Sequence, residues 1–297
     1  MTTSQASKLN ADNSVVFPDK NFYNHQYNAR AMIPDHPLIF SRWVHASSLA
    51  RQRTPSLRDL AYGESSGERL DFFPSAQAGS PLLVFIHGGW WRSLDKSDFS
   101  FIAPSYVSAG INVALLNYTL APNVTIHEIV KQQLRAMAWL YRRAEQYEFD
   151  RDKIVVAGHS AGAHLSAMML AAHWNIYEDD LPADLIKAGV LMSGLYDLDP
   201  IQHADFVNVD LQLTQTQIDT LSPALIPQSH NAPFITAVGD LESSEFHRQN
   251  AMIGSAWKSN HLNDIVIKNT NHLTICDAFA SHEHPLFKAT RKLVATI

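Results

Sequence analysis

Short, uninterrupted apolar runs recur along the chain at Leu82 to Ile86, Val113 to Leu116, Ile154 to Ala157, Val190 to Met192, Phe234 to Val238 and Ile265 to Ile267. Each is too short for a helix, and most lack the apolar-polar alternation of a sheet with one wet face, so the pattern predicts strands buried on both sides. Between the runs lie longer stretches with helical periodicity, at about 96–109, 125–148, 160–174, 243–258 and 285–296. Strand and helix in alternation predict a mostly parallel sheet with helices packed on both of its faces.

Three stretches break the rhythm. Residues 1 to about 20 offer few apolar anchors and read as a flexible tail. From Asn21 to about Leu60, Phe22, Tyr23, Tyr27 and Trp43 recur among Arg and Pro, which predicts short helices lying over the domain as part of a lid. Residues 196–230, rich in Asp and Gln, read as a second lid segment crossing the C-terminal edge of the sheet, where substrates enter such folds. The remainder, 21–297, is read as a single domain.

Composition narrows the class of protein. A chain of 297 residues, 46% of them hydrophobic, can bury one sizeable core. The 23 Lys and Arg against 29 Asp and Glu, a formal charge of -6, are scattered and argue against nucleic acid as a partner. No apolar run approaches the roughly 20 residues of a membrane span, and the polar N-terminus lacks the apolar segment of a secretory signal. The lone Cys276 forms no internal disulfide and fits the cytoplasm. A homodimer is expected only on general grounds of how soluble proteins assemble.

Against that background one local pattern carries chemistry. Gly158-His159-Ser160-Ala161-Gly162 follows a predicted strand and opens a predicted helix. Glycines on either side let the backbone turn sharply and leave the serine oxygen exposed, which is the nucleophile elbow of the α/β-hydrolase fold. The alternative, a serine N-cap on an ordinary helix, does not require the flanking glycines. His87-Gly88-Gly89-Trp90-Trp91 follows the strand at Leu82 to Ile86. A Gly-Gly pair there can curl with its N–H groups inward, so the amides of Gly88, Gly89 or Trp90, with that of Ala161, are candidates for an oxyanion hole. Trp90 and Trp91 are candidates for substrate contact.

In this fold the acid and then the base follow the serine. Five histidines lie beyond residue 242. His247 sits in a helical pattern and His261 precedes a strand, whereas His272 follows the strand at Ile265 to Ile267 in a polar turn able to reach the serine. His282 and His284 flank Glu283 without further partners at metal-ligand spacing, and no metal is expected. For the acid, Gly239-Asp240-Leu241-Glu242 presents two carboxylates after the strand at Phe234 to Val238, and the spacing alone leaves both open.

With these residues placed, the chain resembles the arylformamidase, or kynurenine formamidase, family of serine hydrolases. The likeness is carried by His87-Gly88-Gly89-Trp90-Trp91, Gly158 to Leu165, Ser193 to Leu198, Ser244 to Gln249 and Leu70 to Pro74, and extends from about residue 25 to the end. The resemblance implies Ser160 as nucleophile, His272 as base and Glu242 as acid, the last standing where the family has aspartate, with Asp240 as the alternative. It also implies that Phe246 shapes the pocket, that no cofactor is needed, and that the substrate is a small aryl formamide or aryl ester. The implied reaction is hydrolysis of N-formyl-L-kynurenine through a formyl-enzyme. A carboxylesterase or aryl-amide amidase with the same machinery is the alternative within the class, and an inactive binding member of the fold is the alternative outside it.

Overall fold

The computed structural model describes residues 8–9, 15–16 and 20–297. The expectation of a flexible tail falls mostly outside the described residues; within it, Lys8–Leu9 pairs antiparallel with Val15–Val16.

Eight strands form one sheet: β1 Leu57–Ala61, β2 Arg69–Phe73, β3 Ser80–Ile86, β4 Asn112–Leu116, β5 Phe149–His159, β6 Ala188–Met192, β7 Phe234–Gly239 and β8 His261–Ile267. Their spatial order is β1-β2-β4-β3-β5-β6-β7-β8. β2 pairs antiparallel with both β1 and β4, and every other pairing is parallel. This is the sheet of the α/β-hydrolase fold, mostly parallel and flanked by helices.

The central strands are apolar throughout because both of their faces are covered. Leu82, Val84 and Ile86 of β3 join Ile154 and Val156 of β5 in one core, while Leu83, Phe85, Val155 and Ala157 join a second core across the sheet. The helices Ile126–Arg142 and Ala161–Ala171 lie over the first core. His36–Arg53, Ala103–Ser108, Ile275–Ala280 and Pro285–Val294 lie over the second.

Segment 21–60 is made of three helices and most of an edge strand. Its largest element is the helix His36–Arg53, whose Trp43 is buried against Phe99 and Phe101 and donates from Nε1 to Asp277 Oδ1 at 3.0 Å. Its end leads into β1, an edge strand whose residues are mostly exposed. Such a strand has no apolar run to betray it, which is why the pattern LRDLA gave no signal. Ala29 and Arg30 of the helix Ala29–Met32 and Phe40 and Trp43 of the helix His36–Arg53 border the cavity at Ser160, and Tyr27 of the helix Lys20–Tyr27 packs edge-on against Trp90. In segment 196–230 the helices Asp199–Gln202, Asp205–Leu211 and Gln215–Leu221 follow β6 beyond its C-terminal end. His261 opens β8 rather than preceding it, stacked on Phe234 with Nε2 2.8 Å from Thr236 Oγ1.

Candidate active site

Ser160 sits between β5 and the helix Ala161–Ala171 with φ 57° and ψ -120°, a conformation that costs a non-glycine residue about 1–3 kcal/mol. The surroundings hold it there. Its N–H donates to Met192 O at 2.9 Å and its carbonyl accepts from Ala163 and His164. The helix also crosses β3 so closely that a Cβ on Gly162 would lie 1.9 Å from Ile86 O. Any side chain there would push the helix, and the serine with it, out of register.

His272 follows β8 in the turn leading to helix Ile275–Ala280. Asn271 Oδ1 accepts the amides of Leu273 and Thr274 at 3.0 and 2.9 Å, which fixes the turn around the histidine. The imidazole Nε2 lies 3.0 Å from Ser160 Oγ, and Nδ1 lies 2.7 Å from Glu242 Oε2. The other carboxylate oxygen of Glu242 accepts from Ser193 Oγ at 2.6 Å and from the amide of Gly239 at 2.8 Å. The Glu242 side chain is fully buried. Its carboxylate is therefore held by three donors, one of them the histidine. Asp240 is exposed and its Oδ1 accepts from the amide of Thr270 at 3.3 Å, so the alternative acid is outside this line of hydrogen bonds. Ser193 opens the segment Ser193 to Leu198 that carries part of the family likeness. A small hydroxyl residue after β6 was the signal that could have marked it as a partner of the acid.

Two aromatic rings pack against the histidine. Phe246 lies with its centroid 4.2 Å from that of His272, and His159 at 4.7 Å. His159 donates from Nε2 to His272 O at 2.6 Å. Burial, and then the neighbouring His272, hold the His159 imidazole well below its ordinary pKa, so it is a neutral brace for the loop.

The glycine loop comes up to the same serine: a Cβ on Gly88 would lie 3.0 Å from Ser160 Cβ. Gly89, Trp90 and Trp91 all have positive φ, 108°, 57° and 55°, so the chain curls back. Gly89 O closes the turn by accepting from the amides of Arg92 and Ser93. Among the described residues no protein group accepts from the amides of Gly88, Gly89 or Trp90. The amide of Ala161, in the first turn of its helix, is also without an intrahelical partner. Below the loop, His87 stacks on Tyr118 at 4.5 Å, with its ring nitrogens 2.7 Å from Gly88 O and 3.0 Å from Asn117 Oδ1.

The two adjacent indoles part company in this curl. Trp90 turns toward Tyr27 and Phe206, both edge-on, and lines a cavity of about 30 Å³ with Ser160, Gly89 and His272. Trp91 is completely buried, edge-on to His164 at 5.0 Å, and is a core residue rather than the substrate contact expected of it. Phe246 borders a second cavity, of about 170 Å³, that also touches His272 and Glu242. A further cavity, of about 910 Å³, lies between Ile126–Arg142 and the helices after β6 and touches none of Ser160, Glu242 or His272. His282 and His284, the pair weighed as metal ligands, are spent on structure: His282 packs on Phe287, and His284 Nδ1 accepts from the amide of Leu286 at 3.2 Å.

Comparison with known proteins places these features in context. Residues 70–237 match a family model described as BD-FAE. The chain is 29% identical over 282 residues to a kynurenine formamidase of Salmo salar, covering 92% of each chain. It is 32% identical over 266 residues to that of Danio rerio, covering 84% of this chain and 88% of the other. Among solved structures, a candidate thioesterase from Silicibacter sp. TM1040 superposes with a TM-score of 0.78 at 28% identity, over 91% of this chain and 98% of that one. A thermostable carboxylesterase from a metagenomic library shares the fold at a TM-score of 0.66 and 17% identity, over 88% of this chain and 94% of the other. Among the described residues no helix is long and apolar enough to cross a membrane.

Proposed function

Because this chain belongs to the kynurenine formamidase family of α/β-hydrolases, we propose that it hydrolyses the formamide of N-formyl-L-kynurenine, with Ser160 as nucleophile, His272 as base and Glu242 as acid. The observation that carries this reading is the unbroken line Glu242–His272–Ser160, joined at 2.7 and 3.0 Å, beside Gly88, Gly89 and Trp90, whose amides have no acceptor among the described residues.

Ser160 Oγ attacks the formyl carbon while its proton passes to His272 Nε2. Glu242 accepts the Nδ1 proton in a hydrogen bond, which fixes the tautomer and stabilises the imidazolium as it forms. The carbonyl oxygen becomes an oxyanion held by the amides of Gly88, Gly89 or Trp90 together with that of Ala161. Collapse breaks the C–N bond; His272 returns the proton to the departing arylamine, leaving Ser160 as its formyl ester. A water, deprotonated by the same His272, attacks that ester, and formate leaves as Ser160 is reprotonated. The confined space beside Ser160, about 30 Å³, favours an acyl group of formyl size over a long chain. Phe246 and Trp90 supply aromatic surface for the aryl part.

The decisive measurement is kcat/KM for N-formyl-L-kynurenine against a series of aryl esters of increasing acyl length. The formamide and formyl or acetyl esters are expected to exceed butyryl and longer esters. A clear preference for the long esters overturns the formamidase reading. Ser160→Ala is expected to lose at least about 10³-fold in kcat, together with all labelling by a fluorophosphonate.

A further inference from the structure

Of the described side chains that border the Ser160 cavity, Arg30 alone carries a permanent charge. It stands on the short helix Ala29–Met32 at the mouth of the cleft, facing the glycine loop. Its guanidinium is held from two sides. Nη2 donates to Ser93 Oγ at 3.0 Å, and the plane lies over the Phe40 ring, 5.2 Å from its centroid. Ser93 Oγ in turn donates to Gly89 O at 2.9 Å, so the cation is fixed relative to the loop that curls over the nucleophile.

Neither of these partners carries negative charge. A guanidinium has five N–H donors in a rigid fork, and a hydroxyl and a ring face leave most of them unused. The nearby Arg92 is different: it is paired with Asp210 and lies over Phe206. Its charge is still felt at Arg30, where burial and then Arg92 lower the guanidinium pKa. The rim of the cleft is thus locally positive on a chain whose formal charge is -6. That is an arrangement for capturing an anion.

We propose that Arg30 is a specificity-determining residue that binds the carboxylate of the substrate, so that the site selects aryl amides and aryl esters bearing a carboxylate on the group that leaves. The fork of Arg30 pairs with the carboxylate at the rim while the acyl carbon rests at Ser160 Oγ and the aryl ring lies against Trp90. This deepens the proposed function and rests on it for the identity of the reaction; the selection for charge is separable in experiment.

The test uses two matched pairs of substrates on the full chain: N-formyl-L-kynurenine with its α-carboxamide, and 4-acetoxybenzoate with phenyl acetate. Wild type is expected to prefer the acid of each pair by about 10- to 100-fold in kcat/KM, through KM. The preference should shrink on adding salt. Arg30→Ala and Arg30→Gln should collapse it, with turnover of the neutral partners within about twofold of wild type, an ordinary effect for an exposed position. Ser93→Ala, which removes the link to the loop but not the charge, should preserve the acid-to-neutral ratio.

The proposal is overturned if wild type shows no preference for the acids. It is equally overturned if the Arg30 variants depress acid and neutral substrates alike, the result of a brace acting only through Ser93. The two ideas also fail separately. An Arg30-dependent preference in the ester pair with no hydrolysis of either formamide sinks the formamidase reading and leaves the anchor standing. Equal hydrolysis of both formamides, unaffected at Arg30, does the reverse.

Discussion

The two carboxylates after β7 differ by one turn of loop and by everything that surrounds them. Glu242 is buried with three donors aimed at its oxygens, and Asp240 faces solvent. An aspartate at 242 would be a methylene shorter and could not span both Ser193 and His272 without moving the loop. Glu242→Ala is therefore expected to lower kcat by about 10²- to 10⁴-fold with little change in KM, the signature of losing the group that orients the base. Glu242→Asp should fall between that variant and wild type. Asp240→Ala should stay within about twofold, as for other exposed positions. Steady-state kinetics on the three variants check this, and a large loss at Asp240 with none at Glu242 would reverse the assignment. Sequence could not choose between them because both stand in the correct loop. Which one points inward depends on the bond from Leu241 N–H to Thr270 O and on the placement of Ser193, contacts that join segments far apart in the chain.

Among the elements, the helix Ala161–Ala171 has every residue buried, because it lies between the sheet and the helices after β6. The central strands were legible as uninterrupted apolar runs, whereas this helix, with His164 and Ser166 among its apolar residues, read only as a helical stretch. What stayed illegible were elements whose pattern is set by partners elsewhere: the exposed edge strand β1, and the helix Ile275–Ala280, too short to show a period. Burial of a helix that carries His164 has a cost that depends on pH. His164 Nε2 donates to Leu221 O at 2.7 Å, and burial lowers its pKa to about 4. In the unfolded chain the pKa is about 6.5. Between those values the unfolded state binds the extra proton, so stability is complete above about pH 6.5 and declines as pH falls toward 4. The loss from this one group is about 2 kcal/mol by pH 5. The buried His87 and His159, whose pKa values are also lowered, add loss of the same sign. Urea unfolding at pH 7.5 and pH 5 should show the decline, and His164→Gln, which keeps a donor for Leu221 O, should flatten it. An unchanged slope in that variant would remove His164 from the account.

For the molecule as a whole, the aromatic-rich segment 21–60 divides between the two cores. Trp43 belongs to the core beneath the sheet, packed on Phe99 and Phe101. Tyr27 is fully buried in the other core, edge-on to Trp90 and Phe246: its hydroxyl donates to Glu245 Oε2 at 2.7 Å and accepts from Gln249 Nε2 at 3.0 Å, tying helix Lys20–Tyr27 to helix Ser244–Ala256. Arg248 completes the tie, pairing with Glu245 and with Asp197 on the segment after β6. Three segments distant in sequence thus meet at one point above the nucleophile. Trp43→Ala should cost about 3–5 kcal/mol of global stability, as deletion of a large core side chain does. Tyr27→Phe keeps the ring and removes both hydrogen bonds of the hydroxyl, of which the charge-assisted one to Glu245 is worth about 1.5–3 kcal/mol if it were felt globally. Because Glu245 keeps Arg248, the loss should instead appear locally. Faster amide exchange over residues 20–34 and a raised KM are expected, with Tm nearly unchanged. Exchange mass spectrometry and calorimetry on the two variants separate these outcomes. A drop in Tm for Tyr27→Phe matching that of Trp43→Ala would mean that helix Lys20–Tyr27 and the core around Trp43 unfold as one unit.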